Sequence, residues 1–420
     1  MAHRPLRICL LTYRGNPRSG GQGIYVRLLS KALVDLGHEV DVWSGPPYPE
    51  LYPEVGLVPV PSLDLWNERH MMRMPTHREL LDPVNLREWC ITSLGGFAEP
   101  LTFASRVAHA FDARRGRQPQ YDIVHDNQSL GPALLLLRKY APVVATIHHP
   151  VTVDRRIAYK NAKSLKQLIG LRQFYSFLPS QLRVSRSLDH ILTVSEASKT
   201  DIHREYGVAP QRMHVVGNGI DTDTFRPLNQ IQRDPQQLIT TLSSDTPLKG
   251  FRFLLEALQI LKQQGRPLRL LVIGTTGDRT DTRERIQKLG VAEQLTFTGR
   301  IEAAEIARHY ARASVAIVPS LYEGFGYPAG EAMACQVPVV STRAGALPEV
   351  VGEHEKTGIL VEPGSASALA SGIRQLLDNP DLAARIAKAG RDRVLGQFTW
   401  RAAAERTVRV YQNSLGVHAR

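Results

Sequence analysis

A chain of 420 residues with 43% apolar and 22% charged residues is too long for one ordinary core and suits two domains of about 200 residues each, which excludes a disordered or fibrous protein. Its longest apolar run, 132–137 (PALLLL), stops at Arg138 and Lys139, far short of the ~18 residues of a membrane span, and three scattered cysteines (Cys9, Cys90, Cys335) exclude a disulfide or zinc framework. A net charge of +12 favours anionic partners such as phosphorylated small molecules or acidic headgroups, but no nucleic-acid-binding motif accompanies it.

Strand and helix signals alternate along the chain. Arg4 and Arg7 lead directly into the strand 7–13 (RICLLTY), so no signal peptide is expected and the cytosol is the expected compartment. A glycine-rich loop, Gly20-Gly21-Gln22-Gly23, opens a helix whose Tyr25, Leu28, Leu29, Ala32, Leu33 and Leu36 recur at helical spacing, and Gly37 stops it. Residues 39–43 are the next strand, which predicts a β–loop–α–β unit in a parallel sheet. Residues 45–65 give no regular signal and 66–115 read as helical. Strands are expected at 122–125, 143–149, 190–195 and 213–219, with a short helix at 131–139 and a helix at 197–206. Between Arg155 and Ser187 stand eight Lys or Arg and no acid, interleaved with Leu165, Leu168, Ile169 and Phe174. Such a basic amphipathic segment can lie on an anionic membrane surface, which would place the protein at the inner face of the membrane, or it can be a solvated helix face.

The polar stretch 221–237 carries two prolines and reads as the domain boundary, giving domains 1–220 and 221–399. The second half then repeats the rhythm. Strands are expected at 238–243, 268–274, 295–299, 315–320, 337–342 and 358–362. Helices are expected at 250–263, 283–288, 303–310, 328–334 and 366–378. Two doubly wound α/β domains facing across a deep cleft is the economical architecture, with ligands beyond the carboxyl ends of the strands.

The densest constellation is EGFGYPAGE, 323–331. Gly324 and Gly326 free a loop backbone to approach phosphate, Pro328 suits a first helical turn, and Glu323 and Glu331 flank the loop. Two carboxylates around an anion-friendly loop suit a diphosphate set between two sugars, each carboxylate accepting two hydroxyl hydrogen bonds; a capping and salt-bridge role is the plainer alternative. Lys249-Gly250, at a helix start, can neutralise a diphosphate. His148-His149 ends a strand and points its two rings to opposite faces, so one of them can meet substrate. A metal there would need a third ligand such as Asp154, in no recognised spacing. Asp126, Asn127 and Gln128 also end a strand, where they can contact an acceptor or cap the next helix. Neither half carries the dinucleotide fingerprint, which argues against a dehydrogenase.

These segments resemble the retaining GT-B glycosyltransferases of family 4 over nearly the whole chain. EGFGYPAGEAMACQVPVVSTRAGALPEVV looks like that family's E-x7-E signature with its downstream glycine loop. GGQGIYVRLLSKALVDLGHEV looks like its opening loop and first helix, and FTWRAAAERTVRVYQ like its final helix, which in that fold crosses back onto the N-terminal domain at about 400–420. The resemblance implies that Glu331 holds the donor ribose and Glu323 the transferred sugar. Lys249, with the backbone of Gly324, Phe325 and Gly326, would bind the diphosphate, approached also by Gly21 and Gly23. His148 would face the donor sugar, His149 would point away on the acceptor side with Asp126 and Asn127, and Arg300 would stand beside the nucleobase. The family's usual arginine five residues before the lysine is replaced by Ser244.

The same resemblance implies transfer of a sugar from a UDP-, GDP- or ADP-linked donor to a sugar, lipid-linked or natural-product acceptor, with retention of configuration. It implies no metal, and no cofactor beyond the nucleotide-sugar co-substrate. A nucleotide-sugar epimerase or hydrolase on the same fold, or a non-catalytic partner of a transferase, are the alternatives.

Overall fold

The computed structural model describes residues 4–16, 21–65, 73–114, 120–162, 164–242, 246–275 and 280–416. They form two compact units. One holds residues 1–194, 198–216 and 403–420, the other 195–197 and 217–402. Among the described residues no helix is long and apolar enough to cross a membrane.

The first unit is built on strands β1 (Arg7–Thr12), β2 (Glu39–Ser44), β3 (Gly56–Pro59), β4 (Ile123–Asn127), β5 (Val143–Ile147), β6 (Ile191–Thr193) and β7 (Met213–Val215). All pair in parallel in the order β3-β2-β1-β4-β5-β6-β7. Strands covered on both faces read as unbroken apolar runs, which is why ICLL of β1 is wholly buried. Its helices are α1 (Gly21–Asp35), α2 (His77–Leu80), α3 (Pro83–Ser93), α4 (Glu99–Ala113), α5 (Val151–Asn161), α6 (Leu165–Phe174), α7 (Leu178–Ser187) and most of α8 (Glu196–Tyr206). Helix α1 buries Tyr25, Val26, Leu29 and Leu33, and the turn after it is made at Gly37, whose φ of 88° glycine adopts without strain. The core joins Cys9, Leu11, Trp43, Phe103, Val107 and Leu134. Trp43 packs on Phe111 at 4.9 Å and donates its indole N–H to Tyr121 Oη at 3.1 Å.

The second unit holds β8 (Asp234–Leu242), β9 (Arg269–Gly274), β10 (Leu295–Phe297), β11 (Ala313–Val318), β12 (Val339–Thr342) and β13 (Ile359–Val361). They are parallel too, in the order β10-β9-β8-β11-β12-β13. Its helices are α9 (Phe251–Gln263), α10 (Thr280–Leu289), α11 (Ala303–Arg312), α12 (Tyr327–Ala334), α13 (Leu347–Val351), α14 (Ala366–Asp378) and α15 (Pro380–Gln397). Helix α16 (Trp400–Ser414) begins here, but from Ala403 onward it packs with the first unit, where Tyr411 is fully buried and its hydroxyl lies 2.6 Å from His125 Nδ1.

Several expectations need correction. A strand, β3, runs through the proline-rich stretch expected to be irregular. It is an edge strand with alternate residues exposed, and its Gly56 and Pro59, with Pro53 and Pro61 beside it, read as breakers in the sequence although an edge strand tolerates them. Residues 132–139 form a 3-10 helix, started by Pro132. Residues 234–237 of the expected linker open β8. Strand β5 ends at Ile147, so the two histidines stand just beyond it. Helix α15 is the longest of the described helices and was not read from the sequence. It buries only Ile386, Ala387, Gly390 and Val394, a narrow stripe of mostly small residues on a charged helix. The basic segment 155–187 spans α5 to α7. Helix α7 buries Leu178 and Val184, but α6 buries nothing and exposes Leu165 (73%), Ile169 (50%) and Phe174.

Candidate active site

In an open parallel sheet, the strand order reverses beside the first strand, and the diverging loops leave a crevice beyond the carboxyl ends there. In the second unit that place is the end of β8 and β11. Three loops are locked together around it. A 3-10 turn at Pro247–Lys249 leads through Gly250 into α9. Gly250 has φ 63°, and a Cβ there would lie 1.9 Å from the Pro319 carbonyl oxygen, so only glycine lets the turn sit against the loop after β11. Leu321 N–H donates to the Leu248 carbonyl at 2.7 Å and closes the contact.

This places Lys249 Nζ 2.8 Å from Glu323 Oε1, with side chains 23% and 13% exposed. Ser320 Oγ donates to the same oxygen at 2.7 Å, and Thr342 Oγ1 donates to the Ser320 carbonyl at 2.5 Å. The Glu323 carbonyl accepts from Ala346 N–H at 2.9 Å, and Gly345 (φ 55°) lies so close beneath that a Cβ would reach 2.3 Å from it. The downstream glycine loop therefore supports Glu323 from below. Gly326 begins α12 with φ 104°. Phe325 turns inward against Tyr327 and Phe398, which leaves its backbone rather than its ring for a ligand. The Gly324 carbonyl accepts from Ser195 Oγ at 2.8 Å.

Glu331 stands inside α12, partly exposed. Burial, with the Asp221 carboxylate nearby, pushes its pKa up to about 7. No described side chain hydrogen-bonds to its carboxylate or pairs with it. An acidic group held in this state accepts hydroxyl donors readily once it ionises. Arg300 is exposed, with no ion pair among the described residues. Ser244, the place of the family's second cation, lies outside the described residues.

The first unit has its own row of polar groups beyond β4 and β5. His148 Nε2 lies 2.8 Å from Asn127 Oδ1, and Asn127 Nδ2 points to the Gln22 carbonyl at 3.5 Å. An amide oxygen only accepts, so His148 carries its proton on Nε2 and offers Nδ1 as an acceptor. Burial lowers its pKa to about 3, with the His149 ring adding to the effect, so it is neutral. Gln128 clamps the pair: its Oε1 accepts from His148 N–H at 2.7 Å and its Nε2 donates to the His149 carbonyl at 2.8 Å. It holds φ 56°, an uncommon conformation for a residue other than glycine. His149 turns away to Asp154 at 2.8 Å, and no group of three His, Cys, Asp or Glu among the described residues is placed to hold a metal.

Asp126 is wholly buried. Ser129 Oγ donates to its Oδ1 at 2.5 Å and Leu130 N–H to its Oδ2 at 2.9 Å, so the loop itself takes up the carboxylate; burial raises its pKa to about 6. At Gly23 a Cβ would meet the Asn16 carbonyl oxygen at 2.2 Å, which makes this glycine a packing requirement of the loop. Gly21 has open space around it at the start of α1. The structure thus joins Lys249, Glu323 and the 324–326 backbone in one unit and His148, Asn127 and Gln128 in the other. Ser320 was missed as a support of Glu323, because a single hydroxyl residue carries no pattern.

Residues 223–393 match the family of glycosyl transferases group 1, and residues 19–224 match glycosyltransferase family 4. The MMP alpha-(1->4)-mannosyltransferase of Mycolicibacterium hassiacum is 41% identical over 98% of each chain. The D-inositol 3-phosphate glycosyltransferase 2 of Catenulispora acidiphila is 26% identical, over 99% of this chain and 96% of its own. Among solved structures, the sucrose-phosphate synthase from Thermosynechococcus elongatus aligns with a TM-score of 0.72 at 24% identity, over 98% of this chain and 100% of its own, a likeness of fold alone. With a relative this similar along its whole length, the chain belongs to the group 1, family 4 glycosyltransferases and is an enzyme of the GT-B fold.

Proposed function

We propose that this enzyme moves a hexosyl group from a nucleoside-diphosphate sugar to a hydroxyl of a saccharide acceptor, with retention at the anomeric carbon and no metal. The observation that carries the reading is the 2.8 Å pair of Lys249 and Glu323, with Glu331 at the other end of the same glycine loop and no described side chain paired to it. Lys249 and the amides of Gly324, Phe325 and Gly326 supply positive potential for the diphosphate, which takes the place of a metal. Glu331 accepts hydrogen bonds from the ribose hydroxyls, and Glu323 from the transferred sugar. His148, neutral and with Nδ1 free to accept, binds a substrate hydroxyl.

In the reaction, the bond from the anomeric carbon to the diphosphate oxygen breaks. The acceptor oxygen bonds to that carbon on the same face, and its proton passes to the departing diphosphate. Mannose is the first sugar to test, since the relative at 41% identity is named a mannosyltransferase.

A panel of UDP-, GDP- and ADP-hexoses, with mannose acceptors, tests the reading. One donor should give a glycosidic product whose anomeric coupling matches the donor's, undiminished by EDTA and lowered by about 100-fold or more in Glu323→Ala and Lys249→Ala. Inverted product or EDTA-sensitive turnover would overturn the mechanism, and nucleotide release independent of acceptor would mark a hydrolase. The exposed Leu165, Leu168, Ile169 and Phe174 of α6, set among basic residues, favour contact with an anionic surface as well. Cosedimentation with vesicles containing phosphatidylglycerol, lost in Ile169→Asp, checks it.

A further inference from the structure

We infer that Tyr411, on the C-terminal helix α16, is a positioning residue for His148, acting through a buried file of His125, Thr146 and Tyr25. The inference rests on the proposed role of His148. Tyr411 and His125 are fully buried, Thr146 is 1% and Tyr25 5% exposed. Tyr411 Oη lies 2.6 Å from His125 Nδ1. His125 Nε2 lies 2.7 Å from Thr146 Oγ1, and Thr146 Oγ1 lies 3.0 Å from Tyr25 Oη. The Tyr25 ring meets the His148 imidazole edge-on, with centroids 4.7 Å apart and planes at 87°. Residues from opposite ends of the chain are thereby joined in one continuous line.

The file has a direction. A neutral imidazole has one N–H and one bare nitrogen, and a hydroxyl has one proton to give. Burial keeps His125 neutral, with its pKa lowered to about 3, and raises the Tyr25 phenol to about 12, so no member carries charge near pH 7. His125 is the one hydrogen-bond partner of Tyr411 Oη among the described residues. If that oxygen accepted, its own buried proton would have nowhere to go. Tyr411 therefore donates to His125 Nδ1, His125 donates from Nε2 to Thr146, and Thr146 donates to Tyr25. The hydroxyl at the far end sets the tautomer of His125. Thr146 and Tyr25 pass that setting to the ring packed against His148. Without the Tyr411 hydroxyl, His125 can take either tautomer, the Tyr25 hydroxyl loses its fixed donor, and the edge-on contact that orients His148 loosens.

The test uses the full chain, 15N-labelled at histidine, and the donor that turns over in the panel. In the native protein His125 should show a protonated Nε2 and a bare Nδ1. Tyr411→Phe should shift the ring signals of His148 and lower kcat by about tenfold with the donor KM within about twofold, as expected for a misplaced reacting group. Thr146→Val should do the same and Thr146→Ser should recover most of the loss; this pair decides the matter if Tyr411→Phe fails to fold. Unchanged His148 signals and unchanged kcat in folded Tyr411→Phe and Thr146→Val would overturn the inference. Failure of the underlying reading shows separately, as native kcat in His148→Ala, and the ring signals alone then decide whether the file couples to His148.

Discussion

The polar groups at the strand ends of the two units differ in how completely side chains satisfy one another. In the first unit, side chains satisfy one another: His148 with Asn127, His149 with Asp154, Asp126 with Ser129, and Gln128 at both ends of its amide. In the second, glycine turns shape the backbone and Glu323 is paired with Lys249 and Ser320, but Glu331 is left without a side-chain partner among the described residues. Pre-paired groups are held in place by one another, which suits positioning hydroxyls. A site built on glycine turns with an unmet acceptor keeps that acceptor's interaction energy for a ligand, which suits capture of a charged donor.

The contrast can be broken most severely at Lys249. Lys249→Ala should lower kcat by about 100- to 1000-fold, as loss of a charge-stabilising donor does, measured by steady-state nucleotide release. Gly250→Ala tests the backbone side. It forces a Cβ into the Pro319 carbonyl at a positive φ and should cost roughly 2 kcal/mol or more in denaturant unfolding.

Glu331→Gln should separate stability from binding. The folded pKa near 7 lies above the ordinary 4.5, so the folded chain keeps a proton that the unfolded chain releases between these values. Stability then falls as pH rises through that window, and the loss is complete above it. At pH 8 the glutamine variant should be more stable by on the order of 1 to 3 kcal/mol, and yet bind the donor about tenfold more weakly. In the native enzyme, donor affinity should tighten as pH rises through about 7, a trend the variant should lack in calorimetry. The smallest effect belongs to the paired side: Asp154→Ala removes a half-exposed partner of His149 and should change stability by less than about 1 kcal/mol in thermal melts.

Most of the architecture was legible because both sheets have central strands buried on two faces, and these announce themselves as RICLLT or ASVAIV. Helix α14 was read to its last residue, since its apolar stripe is regular and Ser365 caps it. The edge strand β3 was not legible because Gly56 and Pro59 interrupt its pattern, and helix α15 because its buried stripe is narrow. At the site, Glu323, Glu331 and Lys249 stood out by spacing around glycines. Asp126 and Gln128 read either as ligand contacts or as caps of the next helix, and their side chains bond within the loops that follow β4 and β5.

The sequence alone determined the periodicities, the glycines at the tight turns and the eight-residue step between the two glutamates, since each is a local property of the chain. Only the tertiary structure decided which polar groups remain open to a ligand. Whether a carboxylate meets Ser129, as Asp126 does, or meets no described side chain, as Glu331 does, depends on what folding brings against it. The same holds for the file from Tyr411 to His148, whose members lie far apart in the chain and meet because parallel strands and a returning helix bury them together.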